Sequence, residues 1–582
     1  MIESAIYKEK NLYRRIKGRQ GHMETVRQPY DDRSSDIVDF CDPGLTSWEN
    51  GQEGKFRGVR IYEGTPPWAL RVMSDGWQGY LVSKNIEWLR YSIRELDGDD
   101  QTNKWLRERE EYMYEVYRKS ELYQALNPYT RFGLSVGSPV IIVWKEGGRH
   151  RCLVPHPKEN YHGSMGAYHR KYEMTAIEAV KKFIGTNEMH RALNDESYDM
   201  DKLPLSKAVL NAYKNGEHYT KFEFIHAIYN RNDHLIERED KDSRKQWFEY
   251  FIETNVDNED NAKPIKEKGY FSKPHIRWDY ERNTDEHYAR TPAWNAIMDI
   301  RSGQELAKQR LEVGQRALDP AMWVMRKYRM NFSSLPGAIN SYDRIDERDA
   351  IPTPIHDGVN YQIGVDVHQM TIQAVERWFQ TDFFLILNRM GIQDSGKWPT
   401  ATQIMEMQGE KALIASSKVE SYTRAIKEID DRFNDIEDRD GNMPEPPQIV
   451  KDYLAYRKLR FSESELDVAI EFLGPLNQLQ KKFLGLRKLQ TGMAVVREFL
   501  EVDPNLKHKV RMSKTLEKAL EEVGFYQDGI VPEPEYEETL AAIAEAARQE
   551  QATETAIEMA KAVPGLSKGM DGASPMAKML DQ

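Results

Sequence analysis

The spacing of apolar residues predicts two long helices in the second half of the chain, with a proline-rich insert between them. Apolar side chains recur at helical spacing over residues 293–318. Asp319-Pro320 ends this stretch, because the residue before a proline avoids the α region. A second stretch covers residues 362–390, and a third begins at Thr400 after a glycine-bounded loop at 391–399. At about 1.5 Å per residue, each long helix would span roughly 35–40 Å. The pattern predicts a helical hairpin that carries a small subdomain.

Upstream of residue 293 the pattern predicts a mixture of helices and strands. Helices are expected after Thr65-Pro66-Pro67, over residues 105–126 with a stop at Asn127-Pro128, and from Thr175 to Gly185. Strands are expected at 140–144 and 149–154, joined by a turn at Gly147-Gly148, and at 222–226 and 247–251 around a polar excursion at 232–244. Residues 1–50 are expected to form a loosely ordered arm.

Downstream of Thr400 the pattern is mainly helical. Breaks are expected at 441–447, at Gly474-Pro475 and at 532–534, and Ser462-x-x-Glu465 has the pattern of a capping box. An apolar stripe over residues 476–500 predicts a core or a subunit interface. A last, acidic helix is expected over residues 535–562, and a disordered tail from residue 564 onward.

Composition narrows the class of protein. A chain of 582 residues with 40% hydrophobic residues is long enough for three or more folded domains. A simple nucleic-acid binder is basic, whereas this chain has a net charge of -12, so any contact with DNA would be local or transient. Two cysteines, Cys41 and Cys152, imply no disulfide framework and fit a reducing cytoplasm. No apolar run predicts a transmembrane helix or a secretory signal.

Three patterns suggest chemistry, and each also has a plainer interpretation. Residues 391–398 nearly match a phosphate-binding loop, but Trp398 stands where that loop needs Ser or Thr, and a helix precedes it. A group of possible metal ligands lacks the paired spacing of zinc sites; it consists of His150, Cys152, His156, His162 and His169. A basic cluster in the insert is either a docking surface or a solvated face; it consists of Arg326, Lys327 and Arg329. Acidic residues such as Asp366 near His368 have no accompanying nucleophile, oxyanion or metal motif, so a helix surface is expected there.

Several short motifs follow one another in a fixed order. They are Pro274-His-Ile-Arg-Trp278-Asp, Glu286-His-Tyr288-Ala-Arg290-Thr-Pro292, Pro336-Gly337, Thr400-Ala-Thr402 with Glu410, and Gly474-Pro-Leu476 with Gln478 and Gln480. In this order they resemble the portal, or head-to-tail connector, proteins of short-tailed double-stranded DNA phages, over residues 55–545. The chain departs from the family at Ala289, where Gly is usual, at Gln403, where Glu is usual, and near Met407, where the family has an Arg.

The resemblance implies an α+β, mainly α, ring-forming portal fold. Its parts would be an N-terminal arm (1–50), the first part of an α+β wing (51–292), two stem helices (293–318 and 361–390) around a clip (319–360), a tunnel loop (391–399), a helical second part of the wing (400–473), a helical crown (474–563) and a disordered tail (564–582).

The resemblance also implies a function and partners. Twelve subunits would form a ring at one capsid vertex, and double-stranded DNA would pass through it without sequence specificity. The large terminase subunit and tail adaptor proteins would bind the clip, at Arg326, Lys327 and Arg329, and capsid and scaffolding proteins would surround the ring. Four residues of the tunnel loop would face the channel: Gln393, Asp394, Ser395 and Lys397.

No enzyme activity, cofactor, metal or membrane is implied. The expected location is the virion, with assembly in the host cytoplasm. The alternative is a nucleic-acid packaging enzyme, an ATPase or a nuclease, for which the near-match at Gly391 is the best support.

Overall fold

A computed structural model describes residues 11–45, 61–96, 99–194, 203–233, 245–256, 258–259, 261–318, 322–323, 353–354, 361–385, 401–461 and 469–473, together with scattered residues between 539 and 555. The chain divides into two compact units, residues 1–478 and 479–582. Among the helices in these ranges, none is both long enough and apolar enough to cross a membrane.

The first unit combines helices with antiparallel sheets, so the predicted α+β class is confirmed. Its described helices are α1 (Leu12–Cys41), α2 (Thr65–Leu81), α3 (Asp100–Lys119), α4 (Leu122–Leu134), α5 (Ala176–Phe183), α6 (Thr186–Asn194), α7 (Lys207–Lys214), α8 (Pro292–Leu318), α9 (Tyr361–Trp378), α10 (Thr381–Phe384), α11 (Ala401–Asp440) and α12 (Gln448–Phe461). Its described strands are β1 (Leu89–Ser92), β2 (Val140–Glu146), β3 (Arg149–Leu153), β4 (Asn160–His162), β5 (Tyr168–Thr175), β6 (Lys221–Asn230), β7 (Trp247–Glu253), β8 (Lys266–Tyr270), β9 (His275–Arg277), β10 (Met322–Trp323), β11 (Thr353–Pro354) and β12 (Ala469–Phe472).

The strands form antiparallel sheets whose order follows the chain closely. The largest sheet has the order β4-β5-β6-β7-β8, and the pairing of β6 with β7 confirms the strands predicted around the polar excursion. The second sheet has the order β3-β2-β9. Its hairpin turns where expected, since Gly147 and Gly148 have φ angles of 59° and 76°, which glycine adopts without steric cost.

Residues 12–41 form a helix, so the expectation of a loosely ordered arm is wrong for this range. The buried face of α1 combines apolar side chains, such as Ile16 and Met23, with buried polar ones. Arg19 donates to Asp233 Oδ2 at 2.6 Å, and Arg27 donates to the carbonyl oxygens of Lys158 and Asn160 at 2.6 and 2.9 Å. The buried positions recur at helical spacing, but the polar residues among them weaken the apolar pattern that would reveal the helix from the sequence.

The main core of the first unit is aromatic. Trp77 of α2 lies within it, with ring centroids 5.7 Å from Trp278 and 5.6 Å from Tyr422. Gly133 of α4 makes room for the same cluster, because a Cβ atom at this position would lie 2.1 Å from the ring of Trp278. The core therefore joins α2, α4, the segment after β9 and helix α11.

Several predicted helix boundaries are confirmed. Helix α11 ends at Asp440 before Gly441, which has a φ angle of 70°, whereas the predicted stop of α8 at Asp319-Pro320 lies outside the described residues. Thr175 and Glu178 form a capping box at the start of α5, which confirms the helix expected after Thr175.

Three other predicted boundaries are wrong. The helix expected over residues 105–126 is in fact two helices, α3 and α4, with a break at Ser120. The expected stop at Asn127-Pro128 is also wrong, since Pro128 lies inside α4. Burial of one face of α4 stabilises the helix by more than the loss of one backbone hydrogen bond costs. The helix expected to reach residue 390 ends at Trp378, since Gln380 is left-handed, with a φ angle of 49°. The range 400–473 is not wholly helical, because β12 pairs antiparallel with β1. In the second unit, the described residues between 539 and 555 are helical.

Candidate functional site

Helices α8 and α9 form the predicted hairpin. They run in opposite directions, since the Trp378 indole N–H donates to Asp299 Oδ2 at 3.0 Å near the start of α8. Further along α8, a Cβ atom at Gly303 would lie 3.3 Å from Thr371, which precedes Trp378 on α9. Between the helices, β10 and β11 pair as a two-residue ladder, so the two ends of the insert lie side by side.

The hairpin starts from a polar junction, which consists of Gly137, Ser138 and residues 286–294. Gly137 and Ser138 both have positive φ angles, 99° and 48°. The Ser138 hydroxyl donates to Asp279 Oδ1 at 2.7 Å and accepts from the Ala289 N–H at 2.9 Å. A Cβ atom at position 137 would lie 2.8 Å from the Ala289 carbonyl oxygen, so only glycine allows this approach.

The motif of residues 286–292 caps the N-terminus of α8. Thr291 Oγ1 donates to the Ser135 carbonyl oxygen at 2.6 Å and accepts from the Trp294 N–H at 3.0 Å, as an N-terminal capping residue does. Pro292 occupies the first helical position, where a missing N–H costs nothing. The motif therefore fixes where and in which direction the hairpin leaves the core.

The motif of residues 274–279 ties the same junction to the core. Arg277 donates to Asp279 Oδ1 at 2.7 Å and to the His287 carbonyl oxygen at 2.6 Å. The next side chain, Trp278, is buried in the aromatic core, and its indole N–H donates to Ser421 Oγ of α11 at 3.1 Å. Arg277 therefore binds the junction, and its neighbour Trp278 binds α11.

A second polar contact holds the hairpin about three turns further along α8. We call it the clasp; it consists of Glu63, Gln304 and His368. The Gln304 side-chain oxygen accepts from the N–H groups of Tyr62 and Glu63 at 2.7 and 3.0 Å. His368 Nε2 lies 2.9 Å from Glu63 Oε2. Burial raises the pKa of the Glu63 carboxyl, but hydrogen bonds from Thr65 and His368 outweigh this effect and bring that pKa below its ordinary value.

The C-terminal half of α11 carries a third group of buried polar contacts. Tyr91 and Tyr117 both donate to Asp430 Oδ1, the former at 2.7 Å, and Asn434 donates to the Tyr91 hydroxyl at 3.0 Å. Burial raises the pKa of Asp430 to about 6, because a charged carboxylate is poorly solvated there. These contacts join α11 to α3 and β1.

Glu437 lies two turns further along α11, beside a cleft of about 510 Å³. Its carboxylate accepts from Lys145 Nζ at 2.6 Å, from the Tyr112 hydroxyl at 2.7 Å and from Asn442 at 2.8 Å. Burial raises the pKa of Glu437, but these partners together with His150 bring it down to about 2. Glu437 therefore stays charged and binds the β2–β3 hairpin to α11.

The histidines that lie close together in sequence have separate partners in the structure. His150 contacts Glu437, His162 Nε2 lies 3.1 Å from the Ser138 carbonyl oxygen, and His169 lies between Gln20 and Tyr229. Burial lowers the pKa of His162 and of His169, so both rings are neutral. Within the described ranges, no group of His, Cys, Asp and Glu side chains has the geometry of a metal site.

Similarity to known proteins extends over most of the chain. Residues 14–531 match the family of bacteriophage head to tail connecting proteins. The chain belongs to this family. It is also 23% identical to the portal protein of Salmonella phage epsilon15 over 552 residues, which cover 91% of this chain and 90% of that protein. The match begins inside α1, so this helix is part of the family's shared sequence. The resemblance drawn from short motifs is confirmed.

The residues that the sequence assigns to DNA and terminase contacts lie outside the described ranges. They are Arg326, Lys327 and Arg329 of the predicted clip and Gln393, Asp394, Ser395 and Lys397 of the predicted tunnel loop. The near-match to a phosphate-binding loop lies outside these ranges too, so all of these assignments stay predictions.

The structure adds residues that the sequence interpretation missed in this head-to-tail connecting protein. Ser138, Glu63 and Gln304 hold the hairpin in place, yet no motif contains them. A signal existed for Gln304, since it follows the buried Ile297 and Ile300 at seven and four residues and must share their buried face. Ser138 and Glu63 lie in connecting segments, where spacing carries no such signal.

Proposed function

We propose that this chain is a portal protein, copies of which form a ring at one capsid vertex of a short-tailed phage. The observation that carries the proposal is the match to the head to tail connecting family over residues 14–531, together with the similarity to a portal protein over most of both chains. The hairpin supports it, because two long helices fixed at one end and carrying an insert between them suit the stem and clip of a portal. The ring places the protein in the virion.

The hairpin also suits contact between neighbouring subunits. Met298 of α8 is 58% exposed, and Met370 and Trp378 of α9 are 68% and 43% exposed. Large apolar side chains grouped on two helices mark an interaction surface more often than a free one. In a closed ring of twelve copies, each subunit would cover this surface with the next, through one repeated head-to-tail interface.

The charges on α8 suit a conduit for DNA. Its described part alternates bases with acids; the bases are Arg301, Lys308 and Arg310, and the acids are Asp299, Glu305 and Glu312. Each neutralised phosphate adds affinity through counterion release, and a ring would multiply that affinity by its number of copies. A balanced helix lets DNA pass without holding it, both during packaging and during ejection.

The clip and the tunnel loop complete the proposal. The large terminase subunit and later the tail adaptor proteins would dock on residues 319–360, with Arg326, Lys327 and Arg329 as the basic contact. Gln393, Asp394, Ser395 and Lys397 would face the DNA, and the helices of residues 474–563 would form the crown. Capsid and scaffolding proteins would surround the ring, which would assemble in the host cytoplasm.

Electron microscopy of the purified protein tests the proposal. We expect rings with a central hole, and no ATP hydrolysis or DNA cleavage by the same preparation. A stable monomer at micromolar concentration and physiological salt would overturn the ring, and ATP turnover or nuclease activity would favour a packaging enzyme instead.

A further inference from the structure

A row of side chains crosses one face of the largest sheet, from β5 to β8. Arg170 of β5 lies opposite His226 of β6. On the next strands, His226 lies opposite Phe251 of β7, and Phe251 lies opposite Lys266 of β8. Residues directly opposite one another in antiparallel strands have their side chains on the same face. The row therefore has a base at each end and two rings between them, whose centroids are 4.3 Å apart in a stacked arrangement.

Helix α5 places a third base over this row. The Lys182 Nζ atom lies 4.8 Å from the centre of the Phe251 ring and 5.3 Å from that of Tyr172, and it donates to the Tyr172 hydroxyl at 3.1 Å. The guanidinium carbon of Arg170 lies 4.1 Å from the centre of the same Tyr172 ring. Both rings are buried, whereas Lys182 and Lys266 are exposed. We call this arrangement the sheet site; it consists of Arg170, Lys182, Lys266, Tyr172 and Phe251.

The carboxylates beside the sheet site already have partners. Glu249 Oε1 lies 2.6 Å from His226 Nε2, and Glu249 Oε2 accepts from the Tyr270 hydroxyl at 2.6 Å. Glu159 accepts from Arg170 Nε at 2.7 Å. Among the residues that the structure describes, no carboxylate forms an ion pair with Lys182 or Lys266. These two bases therefore remain without a neutralising partner.

Positive charge is in excess at the sheet site. The pKa of Lys182 is lowered to about 8, because its ammonium group is partly buried and because Arg170 and Lys266 repel it, while Glu249 offsets these effects only in part. The chain as a whole has a net charge of -12, so this excess of bases is a local feature. An anion bound between the bases would remove the repulsion between them.

The geometry favours a single carboxylate over a nucleic-acid backbone. Proteins that bind a nucleic-acid backbone place bases along a groove, where they meet successive phosphates. The three bases of the sheet site instead converge on one place above two buried rings. The net negative charge of the chain also repels a polyanion. A carboxylate held by one base is already present here, since Glu159 binds Arg170 in this way.

We propose that the sheet site binds an acidic side chain of a partner protein, whose carboxylate lies between Lys182 and Lys266 and is also attracted by Arg170. The aromatic floor and the Tyr172 hydroxyl hold the Lys182 ammonium in place for this contact. The inference goes beyond the proposed portal function and does not depend on it, since it concerns a surface of the sheet and not the hairpin.

The first experiment measures the acetylation of individual lysines in the whole protein by acetic anhydride at pH 8, followed by mass spectrometry. About half of Lys182 is unprotonated at this pH, against well under ~1% of an ordinary lysine, so we expect it to react on the order of tenfold faster than Lys181, its exposed neighbour on α5. A saturating hexaglutamate peptide should slow the reaction of Lys182 about tenfold and leave that of Lys181 unchanged. Equal rates for the two lysines, or no protection by the peptide, would overturn the site.

The second experiment measures binding of the same peptide by calorimetry. Lys182→Gln on α5 and Lys266→Gln on β8 should each weaken binding about tenfold, because each removes one charge-assisted contact. The matched control, Lys181→Gln, removes the same charge from the same helix and should leave the affinity unchanged. Equal weakening by Lys181→Gln would mean diffuse attraction and would overturn the proposal. Tighter binding of inorganic phosphate or of duplex DNA, with the same dependence on Lys182, would overturn the assignment to a carboxylate.

Discussion

Asp430 offers the sharpest test of how the polar contacts of α11 act on stability. Replacing it by asparagine removes a fully buried carboxyl group but keeps an oxygen that can accept from Tyr91 and Tyr117. The other carboxyl oxygen, Oδ2, has no hydrogen-bond partner among the described residues, so the new amide group displaces no contact there.

The magnitude follows from the raised pKa. A shift from 3.8 to about 6 means that the folded protein binds the proton more tightly than the unfolded chain does. The stabilisation by protonated Asp430 is therefore fully present below about pH 4 and is lost as the pH rises through 6. The whole shift corresponds to about 3 kcal/mol, of which about 1 kcal/mol is lost between pH 5 and pH 7.

The assay is urea unfolding followed by tryptophan fluorescence at pH 5 and pH 7. Other titrating groups are common to both proteins and cancel in the difference between wild type and Asp430→Asn. We expect the free energy of unfolding of the variant minus that of wild type to be about 1 kcal/mol higher at pH 7 than at pH 5, because only the wild type loses the contribution of Asp430 over this range. Asp438→Asn, on the same helix with a side chain 48% exposed, controls for the loss of one charge. A difference that does not change with pH would refute the reasoning.

Four further predictions follow from other contacts. Arg19→Ala removes the guanidinium partner of the buried Asp233 carboxylate and should cost about 3–5 kcal/mol in thermal unfolding. Lys17→Ala, which breaks a partly exposed pair with Glu259, should cost less than about 1 kcal/mol, and similar losses for the two variants would contradict the role of burial. The pKa of Glu437 is lowered to about 2, so the stability that this carboxylate contributes is present above the pKa of the unfolded chain and is lost as the pH falls toward 2. Glu437→Gln should therefore reduce the loss of folded protein at acid pH, measured by circular dichroism, and an unchanged acid transition would disprove the assignment. Replacing residues 320–354 by a short Gly/Ser linker should leave ring formation intact and abolish terminase binding in a pull-down; unchanged affinity would rule out the clip. Lys397→Ala should leave rings intact, and deletion of Gln393 to Gly396 should lower the yield of DNA-filled heads; equal yields would end the tunnel-loop assignment.

The sequence predicted the hairpin and the sheets well because their signals are local. Gly147-Gly148 favours a tight turn through its own backbone freedom, and Thr175 and Glu178 form their capping box within one turn of helix. The motifs at 274–279 and 286–292 were found as family signatures, and the structure gives them a physical role as the junction at the start of α8.

What the sequence could not predict depends on partners far away along the chain. Helix α1 buries Arg19 and Arg27 among its apolar side chains, and the acceptors of both arginines lie more than a hundred residues downstream, so the apolar periodicity of this helix is weak. The end of α9 at Trp378 is equally non-local. The residues that follow have ordinary helix propensity, and the turn at Gln380 forms because Phe384 finds its place over Gly76 on a helix about three hundred residues earlier.

The way in which the hairpin is held explains why its apolar side chains can remain exposed. Apolar packing between two helices tolerates small slips, whereas a buried polar group left without its partner costs about 1–3 kcal/mol. The hairpin has directional polar contacts at successive levels: Thr291 at its start, Trp378 with Asp299 above it, and the clasp of Gln304, Glu63 and His368 beyond. These contacts set its register and direction within one subunit. Met298 and Met370 are then not needed to hold the hairpin together, which leaves them available to a neighbouring copy in the ring.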